Sequence, residues 1–198
     1  MKRIYLVHGF NVGDRGKNTV GKLIPHLQGK DIRTFNHYYR RFGLLQVLWR
    51  NGSVAKKLFT RMKTEVREAD TSYAIGHSNG CAIILRALKL GAKFENILLI
   101  NPALNVDTIF PPNVKNIIVI HTRKDKVVKA ARFFDSIPVV EWLIADAWGA
   151  MGSKGYTGND PRVTNIDMTD ALGGHSHFFK DKNLGRINIK GLLFYQDV

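Results

Sequence analysis

Short apolar runs alternate with helix-like segments along this 198-residue chain, and this alternation limits the fold more than any other feature. The runs at 4–7, 97–100 and 117–120 lack an apolar–polar alternation, which is typical of strands covered on both faces. Further strands are predicted at 32–38, 72–75 and 163–168. Helical spacing predicts helices at 14–28, 44–68 (interrupted near Asn51-Gly52) and 79–90, a short helix at 125–135, and a final helix or mixed segment at 184–195.

Strands that alternate with helices predict right-handed βαβ units. We therefore expect an α/β fold, with a mostly parallel central sheet of about six strands and helices on both faces. The length fits one domain over residues 1–198. The segment 148–160 is rich in glycine and polar residues, and we expect it to be a loop within that domain.

The composition excludes several classes of protein. A hydrophobic fraction of 44% and a charged fraction of 23% are ordinary for globular chains. No apolar run approaches about 18 residues, and only four uncharged residues separate Arg3 from His8, too few for a signal peptide. The sequence thus predicts a cytoplasmic protein without a membrane span. The lone Cys81 excludes an intrachain disulfide and a multi-cysteine metal site.

The net charge of +14 is unusual, and part of it is concentrated in one segment. Between residues 40 and 67 the chain has eight basic residues and one acid, Glu65; the basic residues are Arg40, Arg41, Arg50, Lys56, Lys57, Arg61, Lys63 and Arg67. Aromatic residues lie among them, a combination that can bind single-stranded nucleic acid. A solvated helix face with aromatic residues in the core is the favoured interpretation, and an anionic substrate or surface is left open.

The motif Gly76-His77-Ser78-Asn79-Gly80 lies between a predicted strand and a predicted helix. Glycines at both ends allow a tight strand-to-helix turn that exposes the serine above the sheet. The helix N-terminus behind the serine favours negative charge that develops on a substrate. The alternative is a serine that only caps the helix.

With this motif the chain resembles the α/β-hydrolase family over nearly its whole length. His8-Gly9-Phe10 directly follows the first strand and is similar to the family's His-Gly loop. The resemblance implies an oxyanion hole formed by the backbone N–H groups of Phe10 and Asn79. It assigns the His8 side chain a structural role, because the family uses the backbone of this loop.

The resemblance also implies an acid and a histidine in the chain order serine, acid, histidine. Asp125 follows the strand at 117–120 and matches the family's acid loop; Asp107 is the second choice. The histidine is expected in the segment Gly173-Gly174-His175-Ser176-His177-Phe178-Phe179. His175 is preferred to His177, since Phe178 and Phe179 then follow at three and four places and Asp181 is a possible helix N-cap.

The family core usually has eight strands, so six strands indicate a minimal member without a large cap domain. Two segments could cover the site, 42–60 and 138–156. In the second, Val139, Trp142, Leu143, Ala147 and Met151 recur at helical spacing. This helix is predicted either to pack in the core or to form a substrate wall that includes Trp148 and Met151.

The resulting hypothesis is a serine hydrolase that cleaves a carboxylic ester with Ser78, His175 and Asp125. No metal or organic cofactor is expected. Thioesters and amides remain open as substrates, because the same residues act on them. The alternative from another class is a non-catalytic protein on the same fold that binds a polyanion through its basic helix.

Overall fold

The computed structural model describes residues 1–10, 12–40, 46–65, 70–127 and 149–194, without the side chains of residues 48 and 49. Within these ranges six strands form one sheet in the order β2-β1-β3-β4-β5-β6, and every pair is parallel. The strands are β1 Lys2–Val7, β2 Ile32–Asn36, β3 Thr71–His77, β4 Phe94–Ile100, β5 Val114–His121 and β6 Val163–Asp167. The predicted fold class is confirmed.

The main helices follow the predicted pattern with local differences. The helices are α1 Gln46–Glu65, α2 Asn79–Lys89, α3 Met151–Lys154, α4 Asp181–Leu184 and α5 Ile189–Leu193. The helix predicted at 14–28 is instead a 3-10 helix, Val20–Leu27, with Pro25 inside it. Before it, the Asp14 carboxylate accepts hydrogen bonds from the N–H groups of Gly16 and Asn18, which favours turns there.

Two predicted details of the helices are wrong. Helix α1 runs without interruption through Asn51 and Gly52. Asp181 is the first residue of α4, and Lys180 occupies the N-cap position that was predicted for Asp181. The end of the chain is the mixed segment that was one of the two predicted possibilities, because α4 and α5 are separate short helices.

Both faces of the sheet are covered by apolar side chains. Along β5, Ile117 and Val119 belong to one buried cluster, and Ile118 and Ile120 belong to the other. Helices α1 and α2 pack into the first cluster; the 3-10 helix at 20–27 and α5 pack into the second. Each fully buried aliphatic side chain contributes about 1.5–3 kcal/mol to folding. The non-alternating runs in the sequence therefore reflect burial on both faces.

Among the helices that the structure describes, none has the length and apolar character needed to cross a membrane.

Candidate active site

Ser78 occupies a strained turn between β3 and α2. Its backbone has φ of 53° and ψ of −123°, in a region that residues other than glycine rarely adopt. Such a conformation costs about 1–3 kcal/mol and persists only where neighbouring structure holds it. The Ser78 N–H donates to the Ile100 carbonyl at 3.0 Å, and the Ser78 carbonyl accepts from the N–H of Cys81 at 3.0 Å. These bonds hold the serine at the carboxyl end of the sheet.

The two motif glycines are needed for close packing. A Cβ atom at Gly80 would lie 2.2 Å from the Val7 carbonyl oxygen, and one at Gly76 would lie 2.8 Å from the Ile84 side chain. Helix α2 therefore begins directly against the end of β1. This contact brings the residues after β1 next to Ser78.

Asp125 and His175 form a close hydrogen-bonded pair. The Nδ1–H of His175 donates to Oδ2 of Asp125 at 2.6 Å, and the Asp125 side chain is fully buried. The Asn101 amide nitrogen donates to the same carboxylate oxygen at 3.0 Å. A carboxylate on Nδ1 fixes the imidazole tautomer and leaves Nε2 as the acceptor. The other candidate acid, Asp107, is exposed to solvent.

His177 lies elsewhere in the same loop. It begins a 3-10 turn, His177–Phe179, and its carbonyl accepts from the Asn183 side chain at 2.6 Å. Phe178 and Phe179 are buried in the core and anchor the loop. His177 is absent from the described residues that line the cavity at Ser78.

A cavity of about 260 Å³ joins the predicted residues. Its described lining consists of Gly9, Phe10, Val12, Thr19, His77, Ser78, Asn79, Ala103, Val127, His175 and Ser176. The cavity is thus lined by four of the predicted site residues, Phe10, Ser78, Asn79 and His175. Asp125 is buried behind His175 and does not line the cavity.

The loop after β1 lies against the serine. A Cβ atom at Gly9 would lie 3.1 Å from Cβ of Ser78. The buried His8 donates from Nδ1 to the Gly9 carbonyl at 2.8 Å, and its Nε2 accepts from the Tyr39 N–H at 3.3 Å. Burial lowers the pKa of His8 and so favours its neutral form, and the two hydrogen bonds select the tautomer with the proton on Nδ1. The His8 side chain therefore holds the loop in shape.

His77 is a site residue that the sequence analysis did not single out. Its Nε2–H donates to the His175 carbonyl at 3.2 Å, and the two rings are 4.8 Å apart. Burial, with a smaller contribution from His175, lowers the pKa of His77 to about 3. A neutral His77 therefore supports the His175 loop.

Asn51 was also missed by the sequence analysis. It is fully buried in α1, and its side chain makes two hydrogen bonds with the Asn79 side chain, at 2.7 and 3.0 Å. A signal was present in the sequence: Val47, Val54 and Ala55 at helical spacing place Asn51 on an apolar face. A polar side chain at such a position needs a buried partner.

The predicted substrate wall is not supported at Met151. Met151 is fully buried in the core, and its N–H donates to the Leu104 carbonyl at 3.0 Å. The short helix α3 packs against the loop after β4, and Met151 is absent from the described lining of the cavity. Met151 thus agrees with the core-packed alternative of the prediction. Trp148 and most of the predicted covering segment at 138–156 lie outside the described residues.

Helix α1 separates apolar and basic residues. The apolar side of this helix packs in the core, while Arg50, Lys56, Lys57 and Lys63 are exposed. Arg61 pairs with Glu65 at 2.9 Å. This matches a solvated helix face, and binding of a polyanion stays a prediction. Arg41, Phe42 and Arg67 lie outside the described residues, as does the side chain of Trp49.

Among the described residues, the other reactive side chains form no second site of this kind. In the part of the chain that the structure describes, no group of three or more His, Cys, Asp or Glu residues could hold a metal ion. Cys81 is buried in α2, and burial raises the pKa of its thiol. A buried thiol with a raised pKa is a poor nucleophile.

Comparison with known proteins identifies the fold. No family model matches the sequence, and no curated protein matches it. An esterase from Pyrococcus furiosus superposes with a TM-score of 0.60 at 14% identity, covering 98% of this chain and 82% of the esterase. Alpha/beta hydrolase domain-containing protein 10 from mouse gives a TM-score of 0.58 at 13% identity, with 95% of this chain and 87% of that protein covered.

A third structure extends the likeness to a bacterial protein. An alpha-beta serine hydrolase homologue from Coxiella burnetii gives a TM-score of 0.57 at 12% identity, with 99% of this chain and 85% of that protein covered. The superpositions establish the fold. Sequence identities this low leave the activity open. The resemblance predicted from the sequence is confirmed at that level: the chain has the α/β-hydrolase fold.

Proposed function

We propose that the protein is a serine hydrolase that cleaves carboxylic esters through an acyl-enzyme. The observation that carries this proposal is the hydrogen-bonded Asp125–His175 pair, whose histidine shares one cavity with Ser78 in its strained turn. A nucleophile, a base and a group that orients the base are the three parts that such chemistry requires. The esterase from Pyrococcus furiosus, which has the same fold, agrees with this reaction class.

In the proposed reaction, Oγ of Ser78 attacks the ester carbonyl carbon and its proton passes to Nε2 of His175. Asp125 keeps Nδ1–H in place and stabilises the imidazolium that forms. The N–H groups of Phe10 and Asn79 stabilise the oxyanion. His175 then protonates the leaving alcohol, and a water activated by the same nitrogen hydrolyses the acyl-enzyme.

The oxyanion contribution depends on donors already in place. Asn79 is the first residue of α2, so its N–H has no acceptor within the helix. Phe10 follows Gly9 in the loop that packs against Ser78. Each fixed donor of this kind is worth about 10²–10³ in kcat.

The primary test combines turnover with covalent labelling. We expect hydrolysis of p-nitrophenyl acetate or butyrate, and a fluorophosphonate adduct on the peptide that contains Ser78. Ser78→Ala should abolish both signals, whereas Ser53→Ala, at an exposed serine of α1, should leave them unchanged. A folded wild-type protein with neither turnover nor an adduct would refute the proposal.

The choice of histidine has its own test. His175→Ala should lower kcat by several orders of magnitude, because the three residues act as a unit. His177→Ala should lower it by about tenfold or less. If the His177 variant is inactive while the His175 variant retains activity, the two assignments must be exchanged.

The substrate class needs a separate comparison. Matched ester, thioester and anilide substrates with the same acyl group distinguish the proposed esterase from a thioesterase or amidase. A series of p-nitrophenyl esters from acetate to laurate then measures acyl-chain preference. A thioester or anilide with a kcat/KM above that of the ester would replace the ester assignment and leave the roles of the residues intact.

A further inference from the structure

The Gly9–Phe10 peptide is held from one side by two hydrogen bonds. Its carbonyl, that of Gly9, accepts from Nδ1 of His8 at 2.8 Å and from the Tyr39 hydroxyl at 2.9 Å. No peptide bond in the described residues is cis, and in a trans peptide the C=O and N–H point in opposite directions. The Phe10 N–H therefore points away from Tyr39.

Tyr39 lies behind the loop. It is buried and is absent from the described lining of the cavity, whereas Gly9 and Phe10 are part of that lining. A carbonyl directed toward Tyr39 thus turns the N–H of the same peptide toward the cavity side. If this peptide rotated by half a turn, it would present a carbonyl oxygen to the reacting group and remove one oxyanion donor.

The Tyr39 hydroxyl also contacts the second oxyanion residue. It accepts from the Asn79 side-chain amide at 3.3 Å, and Asn79 pairs in turn with Asn51. Its own proton is shared between the carbonyls of His8, at 2.8 Å, and Gly9. Burial raises the pKa of Tyr39, so the hydroxyl keeps the proton that it donates.

We propose that Tyr39 is a positioning residue that sets the orientation of the Gly9–Phe10 peptide and joins the two halves of the oxyanion hole. In this role it acts through the backbone of Gly9 and the side chain of Asn79. The inference rests on the proposed function, because it assigns a task within that reaction. Asn51 supports the same arrangement from α1.

The test compares Tyr39→Phe with Tyr38→Phe. Tyr39→Phe keeps the ring that stacks on His8 at 4.1 Å and removes only the hydroxyl. Tyr38 is the adjacent tyrosine, more exposed, and it is a matched control outside the proposed machinery. Steady-state kinetics on a p-nitrophenyl ester, thermal unfolding, and crystal structures of wild type and both variants are measured.

We expect Tyr39→Phe to lower kcat about tenfold, with KM within about twofold of wild type, since the hydroxyl orients a donor that is worth more by itself. Its crystal structure should show the Gly9 carbonyl rotated or in two orientations. Tyr38→Phe should match wild type in kcat and KM, in thermal unfolding and in the orientation of the Gly9 carbonyl. Asn51→Ala, which disturbs Asn79 from another helix, should lower kcat in the same direction without a rise in KM.

Three results would overturn the inference: an unchanged Gly9–Phe10 peptide in Tyr39→Phe, a loss expressed in KM with kcat preserved, or a Tyr39→Phe variant as active as an active wild type. The structures are informative even without turnover. If wild type hydrolyses nothing, the proposed function fails, and the orientation of the peptide in the two crystal structures still decides the role of Tyr39. If wild type is active and Tyr39→Phe equals it, only the inference fails.

Discussion

The burial of neutral histidines, above all His37 and His77, makes the protein's stability sensitive to mild acid. His37 lies under α1, where its Nε2–H donates to the Val54 carbonyl at 3.2 Å, and burial lowers its pKa to about 4. Burial lowers the pKa of His77 to about 3. Both side chains are less than a tenth exposed. In the unfolded chain a histidine has its ordinary pKa of about 6.5.

The direction of the effect follows from proton binding. Below about pH 6.5 the unfolded chain binds protons at these positions that the folded protein does not bind, so the free energy of unfolding falls as the pH falls. At pH 5 each histidine lowers the free energy of unfolding by about 2 kcal/mol. This value follows because pH 5 lies about 1.5 units below the unfolded pKa, and each unit corresponds to about 1.36 kcal/mol. The pair therefore lowers it by about 4 kcal/mol between pH 7.5 and pH 5, out of a typical total of about 5–15 kcal/mol.

Urea denaturation followed by circular dichroism at pH 7.5 and pH 5 measures this difference. His37→Asn should reduce the drop by about 2 kcal/mol, because it removes one of the groups that bind a proton on unfolding. Val54→Ala is the matched control: it weakens packing beside His37 but should leave the drop at its wild-type value. A wild-type protein equally stable at both pH values would refute the reasoning.

Three further substitutions or reactions test the site and its packing. Asp125→Asn should lower kcat about 10⁴-fold in the p-nitrophenyl ester assay, since an amide no longer fixes the His175 tautomer; a loss below tenfold would contradict the assigned role. Gly80→Ala should lower the free energy of unfolding by more than about 4 kcal/mol or prevent folding, because its Cβ would meet the Val7 carbonyl. The control Gly13→Ala, which has open space around it, should fold normally. Cys81 should react with maleimide only in denaturant, measured by mass spectrometry; rapid reaction in native buffer would show that the thiol is accessible.

Patterns among residues close in sequence predicted much of the fold and the position of the candidate serine. The apolar runs of β4 and β5 and the strand–turn–helix context around Ser78 depend on residues close in sequence. Parallel strands place their carboxyl ends at one edge of the sheet, which is where the residues after β1, β3 and β5 lie. The structure brings Phe10, Ser78 and Asp125 to that edge, and their roles remain a proposal.

Two positions could not be settled from the sequence, because their surroundings come from distant parts of the chain. Asn51-Gly52 has the composition of a helix interruption, yet Asn51 continues α1 because its amide pairs with Asn79, 28 residues further along. The helical spacing of Met151 suits either core packing or a substrate wall, and the contact of α3 with the loop after β4 places it in the core.

The sequence by itself determined the α/β layering and the position of the candidate serine, because hydrophobic periodicity and turn chemistry act over a few residues. The sequence preferred His175 to His177 only by its distance from the aromatic residues that follow, and the tertiary structure shows that His175 is the histidine bonded to Asp125. Only the tertiary structure decided that Tyr39 lies behind the Gly9–Phe10 peptide. Hydrogen bonds between groups dozens of residues apart depend on how helices, strands and loops pack together. The hydrophobic periodicity of a sequence does not specify that packing.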